Sequence, residues 1–92
     1  MSGILEKDLV ICNQKGLHAR AAAAFVKCIA NIDADVIVEK DGQEVDGSSI
    51  LSLMMLAASK GTVIKIKTSG NEAQMALDNL TQLVNSRFGE EE

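Results

Sequence analysis

Apolar residues recur along this chain with two different periods, and the order in which those periods alternate restricts the fold more than any single residue does. In Thr62–Thr68, Ile64 and Ile66 face one way and Val63, Lys65 and Lys67 the other, the pattern of a strand with one buried face. Ala34, Val36 and Val38 alternate with Asp35, Ile37 and Glu39. Leu9 and Ile11 alternate with Val10 and Cys12 inside a first strand over Leu5–Asn13. Asp41-Gly42 is a dipeptide suited to a tight hairpin turn. The return strand, Gln43–Asp46, offers only Val45 to a core and is expected at a sheet edge. Between the strands the period lengthens to that of a helix. Ala22, Phe25, Val26 and Ile29 form one stripe of a helix from Ala19 to Ala30, with four consecutive alanines supplying propensity. Ala73, Leu77, Leu80 and Val84, joined by Ala76 and Leu83, form the stripe of a last helix, which Phe88 pins and Gly89 ends. Gly47-Ser48-Ser49 opens a short middle helix through Leu56, and Lys60-Gly61 closes the loop after it.

The resulting order is β-α-β-β-α-β-α. Strands that alternate need one covered face, and three amphipathic helices can cover it. An α+β fold follows, and this pattern alone is compatible with a ferredoxin-like sandwich as well as with an open-faced one. At 92 residues the chain is expected to form a single domain, residues 1–92, with an acidic flexible tail over 89–92. Phe25 and Phe88 are the only aromatic residues, so the core must be built from Val, Ile, Leu, Met and Ala.

Net charge is −4, with no basic cluster and no aromatic platform, which argues against nucleic-acid binding. Cys12 and Cys28 are spaced neither as a redox pair nor as metal ligands. They read as small, buried or half-buried thiols, with a disulfide between them as the lesser alternative, and no metal or cofactor is expected. No apolar run reaches membrane-spanning length, so membrane insertion is not expected and a cytoplasmic location is.

The chemistry concentrates in Gly16-Leu17-His18-Ala19-Arg20-Ala21-Ala22-Ala23-Ala24-Phe25, which contains the chain's single histidine. That histidine follows a glycine turn and stands at the threshold of a helix. The first-turn N–H groups of a helix have no partner within it, and its dipole is positive at that end, so an anion is attracted there. A neutral imidazole is a competent phosphoryl acceptor. The helix start and Arg20 both disfavour imidazolium, and the Arg20 guanidinium can fold back to form charge-assisted bonds to phosphoryl oxygens. Lys15 and Lys27 read as ordinary surface charges. In the middle helix Ser48 and Ser49 both qualify as caps. The spacing there predicts Ile50, Leu53 and either Met54 or Leu56 as core, leaving Leu51 with Met54 or Met55 exposed as a partner contact.

The segment Gly16–Phe25 resembles the phosphorylation-site motif of HPr, the histidine-containing phosphocarrier family of the bacterial phosphotransferase system. Gly47-Ser48-Ser49-Ile50-Leu51-Ser52-Leu53-Met54-Met55-Leu56 is similar to that family's regulatory serine segment. The resemblance covers roughly residues 7–88. Most members carry proline after the arginine, where this chain has Ala21 and no proline anywhere. Ala21, Met54-Met55-Leu56-Ala57-Ala58 and Ser86-Arg87-Phe88 look like the nitrogen-related (NPr-like) and proteobacterial HPr branch. The resemblance implies an HPr-like open-faced sandwich, a four-stranded antiparallel sheet with three helices on one face. It implies a carrier, not an enzyme, phosphorylated at Nδ1 of His18, with Arg20 stabilising the phosphoryl group; nothing in the sequence requires more than a monomer. Enzyme I would be the donor and an EIIA-type protein the acceptor. Ser49 would be a site for an HPr kinase/phosphorylase, and Gly16, Ala21, Leu51 and Met54 would meet partners. A regulatory module of the same fold without phosphotransfer is the alternative, and the presence of His18 weighs against it. A small-molecule-binding α+β domain would need converging polar groups that the sequence does not display.

Overall fold

The structure, a computed structural model, describes residues 3–90. Seven elements follow the expected order: β1 (Leu5–Val10), α1 (Ala19–Ile29), β2 (Asp35–Lys40), β3 (Gln43–Asp46), α2 (Ile50–Met55), β4 (Val63–Ser69) and α3 (Ala73–Asn85). A 3-10 turn, Arg87–Gly89, follows α3. The strands form one antiparallel sheet in the order β1-β4-β2-β3. In a ferredoxin-like sandwich β3 would separate β1 from β2; here β4 does, so the open-faced arrangement is the one adopted.

The register follows from the alternation. Leu9 lies opposite Ile64, and Val38 opposite Ile66, so the inward residues of three strands meet on one face. On the other face Lys67 of β4 bridges Glu39 of β2, at 2.9 Å, and Glu44 of β3, at 2.5 Å. These two carboxylates hold the Lys67 ammonium well above its ordinary value. β3 is an edge strand of four residues, and two of them are acidic, which blunts pairing with another chain. The hairpin before it turns through Asp41 and Gly42, both at positive φ (51° and 84°), as a two-residue turn between twisted strands requires.

The core is one cluster. Ala22, Phe25 and Ile29 from α1, Leu53 from α2 and Ala76, Leu77, Leu80 and Val84 from α3 pack against Leu9, Ile11, Val36, Val38, Ile64 and Ile66. Phe25 is completely buried and is the largest of the fully buried side chains. Element boundaries and one core assignment differ from the sequence reading. β1 stops at Val10, because Ile11 leaves the ladder to bond Thr62 and Gly61 in the crossing loop. Helix α1 ends one residue early, with Ala30 as its cap. Ile50, expected in the core, is 41% exposed. As the first residue of α2 it turns away from the sheet, and Leu53 and Leu56 fill the inward positions instead. Residues 91 and 92 of the expected tail lie outside the described residues. Among the described residues no helix is long and apolar enough to cross a membrane.

Candidate functional site

His18 is placed by the loop before it. Gly16 has φ +68°, and a Cβ there would lie 2.5 Å from the Ala58 carbonyl oxygen. Only glycine combines that backbone with that approach. The close packing lets the Leu17 N–H donate to Ala58 O at 2.8 Å, while Asn13 Nδ2 donates to Gly16 O at 2.7 Å. Leu17 is buried beneath, and the chain emerges at His18 as the N-cap of α1. The His18 carbonyl accepts the Ala22 N–H at 2.8 Å. The side chain makes no cap hydrogen bond, and the first turn of α1 contains no acidic residue. The N–H groups of that turn therefore stand at a helix start that no side chain fills, with Arg20 exposed two residues on. His18 also borders a surface depression lined by Lys15, Leu17, Ala57, Ala58 and Ser59.

The imidazole is held from a direction the sequence reading did not foresee. Its Nε2 lies 2.5 Å from Glu90 Oε2, and Asn13 Nδ2 donates to the other oxygen, Glu90 Oε1, at 3.1 Å. Burial pushes the Glu90 carboxyl up. The hydrogen bonds from His18 and Asn13, with the attraction of His18 and Lys15, outweigh that and bring it below its ordinary value. Asn13 is fully buried, and its Oδ1 has no partner among the described residues. Neither residue carried a local signal. Asn13 reads as a turn former, and Glu90 belongs to a run of three glutamates 72 residues from His18.

Arg20 forms no ion pair with His18 or Glu90 among the described residues, so its side chain is available at the helix start. Gly16 and Ala21, expected to meet partners, are buried. Ala21 is the third residue of α1 and faces the core, and its methyl is inaccessible. The apolar surface lies on α2: Leu51 is 69% exposed, Met55 65% and Met54 40%, with Ile50 joining them.

Ser49 is the N-cap of α2, and its Oγ accepts the Ser52 N–H at 3.2 Å. Ser48 is not the cap; its N–H and hydroxyl both bond Asp46 Oδ1, at 2.8 and 2.7 Å, and lower the Asp46 carboxyl. At the other end of α2, Lys40 Nζ donates to Leu56 O at 2.9 Å, a cation placed on the negative end of a helix. Cys12 donates its thiol to Val84 O at 3.2 Å, burial pushes the Cys28 thiol up, and both are free. Among the described residues no cluster of three His, Cys, Asp or Glu could hold a metal ion.

The sheet order and the histidine at an uncapped helix start define a class: small α+β proteins with an HPr-type sandwich. Residues 5–86 match the family model for the PTS HPr component phosphorylation site. The chain is 44% identical over 89 residues to the phosphocarrier protein HPr of Neisseria meningitidis, covering 97% of this chain and all of that one. It is 35% identical over 86 residues to the phosphocarrier protein NPr of Shewanella violacea, covering 94% of each. Among solved structures, HPr of Thermoanaerobacter tengcongensis superposes with a TM-score of 0.91 at 39% identity, covering 96% of this chain and 99% of that one. The chain belongs to the HPr family, the phosphocarriers of the phosphotransferase system, which are carriers and not enzymes.

Proposed function

We propose that His18 is the residue that carries the phosphoryl group, taken from enzyme I and passed to an EIIA-type protein. The observation that carries this reading is the placement of the single histidine at the side-chain-free start of α1, with no partner on Nδ1 among the described residues and Arg20 within the same turn. In the forward step the Nδ1 lone pair attacks phosphorus, and an N–P bond forms as the donor histidine's N–P bond breaks and its electron pair returns to the donor imidazole. The protein's part is positioning and charge stabilisation. The α1 dipole, the first-turn N–H groups and Arg20 oppose the dianion's charge. Leu51 and Met54, exposed on α2, are the docking contacts, and the protein works as a cytoplasmic monomer.

Ser49 phosphorylation is a second, regulatory event within the same reading. A phosphate on the α2 cap is tolerated by the helix start, yet it adds negative charge beside Leu51 and Met54 and weakens docking. The first test is incubation with phosphoenolpyruvate and enzyme I, read by intact mass. The parent is expected to gain one acid-labile phosphoryl group and His18→Ala none. Retained labelling of His18→Ala overturns the assignment.

A further inference from the structure

Two of the chain's four methionines, Met54 and Met55, are consecutive in the short helix α2. Neither is needed for its packing. Leu53 and Leu56 fill the inward positions and are buried, whereas Met54 and Met55 stand outside the core cluster. Leu51, Met54 and Met55 are spaced i, i+3 and i+4, so their side chains share one edge of the helix. They form a continuous apolar surface there, with Met55 65% exposed and Met54 40%. The frame that presents the two thioethers is held at both ends. Ser49 caps its start, and Lys40 Nζ donates to Leu56 O at its finish. The chain's thiols are placed differently. Cys12 donates to Val84 O, and burial pushes the Cys28 thiol up, which keeps that sulfur from the reactive thiolate form. The sulfur most open to an oxidant among these residues is therefore thioether, and it lies on α2.

We propose that Met55 and Met54 form a reversible oxidation site on α2, where conversion to methionine sulfoxide by hydrogen peroxide releases the protein from its docking partner. The inference rests on the reading of the exposed α2 surface as the docking contact. In the oxidation a sulfur lone pair attacks one peroxide oxygen. An S–O bond forms as the O–O bond breaks, and the departing hydroxide takes the proton of the transferred oxygen and leaves as water. Sulfur loses two electrons and the peroxide gains them. The product replaces a flexible apolar group by a polar, chiral one. An interface that closes over it must then strip water from a strong acceptor and offer it no donor. Met55, the more exposed of the two, is oxidised first. The fold is spared, because neither side chain belongs to the core. The effect also differs in kind from a phosphate on Ser49. A sulfoxide carries no net charge, so salt does not screen the loss it causes.

The test treats the full chain with hydrogen peroxide, maps the oxidised residues by peptide mass, and titrates enzyme I calorimetrically at low and high salt. Each protein is compared with itself before and after treatment, whatever its starting affinity. The parent is expected to lose about tenfold in affinity at both salt concentrations and to regain it when methionine sulfoxide reductases remove the oxygen. Met54→Leu/Met55→Leu, which keeps the surface apolar, is expected to show no loss on treatment. Met75→Leu removes the exposed methionine of α3, 49% accessible, and is expected to lose as much as the parent. Amide spectra check that the treated proteins stay folded. Undiminished affinity with both sulfoxides mapped overturns the proposal, as does an equal loss in Met54→Leu/Met55→Leu or a loss that accompanies unfolding. Leu51→Ala separates the two readings. Weakened docking in Leu51→Ala beside an oxidised parent that still binds fully defeats the oxidation site alone. Full-strength docking in Leu51→Ala defeats the docking surface and the oxidation site with it.

Discussion

Two helix starts on this molecule meet the same physical problem in opposite ways. Helix α2 begins with Ser49, whose Oγ receives the Ser52 N–H, and Asp46 secures the turn before it through Ser48. Helix α1 begins with His18, whose side chain gives its first turn nothing and instead binds the end of the chain. A side-chain cap contributes about 1 kcal/mol to a helix start. The α1 start forgoes that contribution and remains receptive to an anion supplied from outside. The α2 start is satisfied from within, and only chemical modification of its cap would bring an anion there. On the proposed reading of His18, the capped start serves stability and the uncapped one serves to receive an anion.

The sharpest way to break this contrast is to give α1 the cap it lacks. His18→Ser is expected to abolish phosphoryl acceptance completely and to raise the stability of the protein by about 1 kcal/mol, measured by urea denaturation of the same samples used for labelling. A loss of stability would show that the His18–Glu90 contact is worth more than the cap. Next in size is the loop that presents His18. Gly16→Ala meets both a positive φ and the Ala58 carbonyl, and is expected to cost about 3 kcal/mol. Phosphoryl uptake should fall in the surviving folded fraction because Leu17 and His18 are displaced. At the other helix, Ser49→Ala is expected to lower stability by about 1 kcal/mol with uptake unchanged, while Ser49→Asp keeps the cap, spares the fold and weakens enzyme I docking in a salt-sensitive way. The smallest effect concerns acid. Ser48's hydroxyl and backbone N–H hold the Asp46 carboxyl below its ordinary value. Its contribution is therefore fully present above an ordinary value of about 4 and lost as pH falls through the lower folded value. Asp46→Asn should flatten the acid limb of the stability profile slightly, and an unchanged limb would remove Asp46 from the account.

The elements were legible in the sequence because their periods are clean. Ile64, Ile66 and Thr68 alternate with lysines, and Leu77, Leu80 and Val84 share a stripe, so β4 and α3 fall close to where the pattern puts them. The Asp41-Gly42 turn and the β3 edge follow from the same local chemistry. The positions of His18, Arg20 and Ser49 at helix starts were legible from the glycines and serines that precede the helical periods. Ile50 was misjudged because a six-residue helix has too few turns for periodicity to fix its rotation. Gly16 and Ala21 were expected at a surface and are packed, since only tertiary contact with Ala58 and the core decides their burial. Asn13 and Glu90 were not legible as site residues at all. Their contact spans 77 positions and depends on the left-handed turn at Arg87–Gly89, for which Arg87 and Phe88 give no propensity.

On the proposed function, the first turn of α1 is kept open for a phosphoryl group while that of α2 is not. Amide proton and nitrogen shifts, followed as the protein is phosphorylated by enzyme I and phosphoenolpyruvate, test it most directly. The account predicts large downfield movements confined to the Ala19–Ala21 amides and the His18 ring, with the Ser52 and Leu53 amides of α2 unmoved. Phosphorylation that leaves the Ala19–Ala21 amides where they were, or that moves the start of α2 instead, would contradict it.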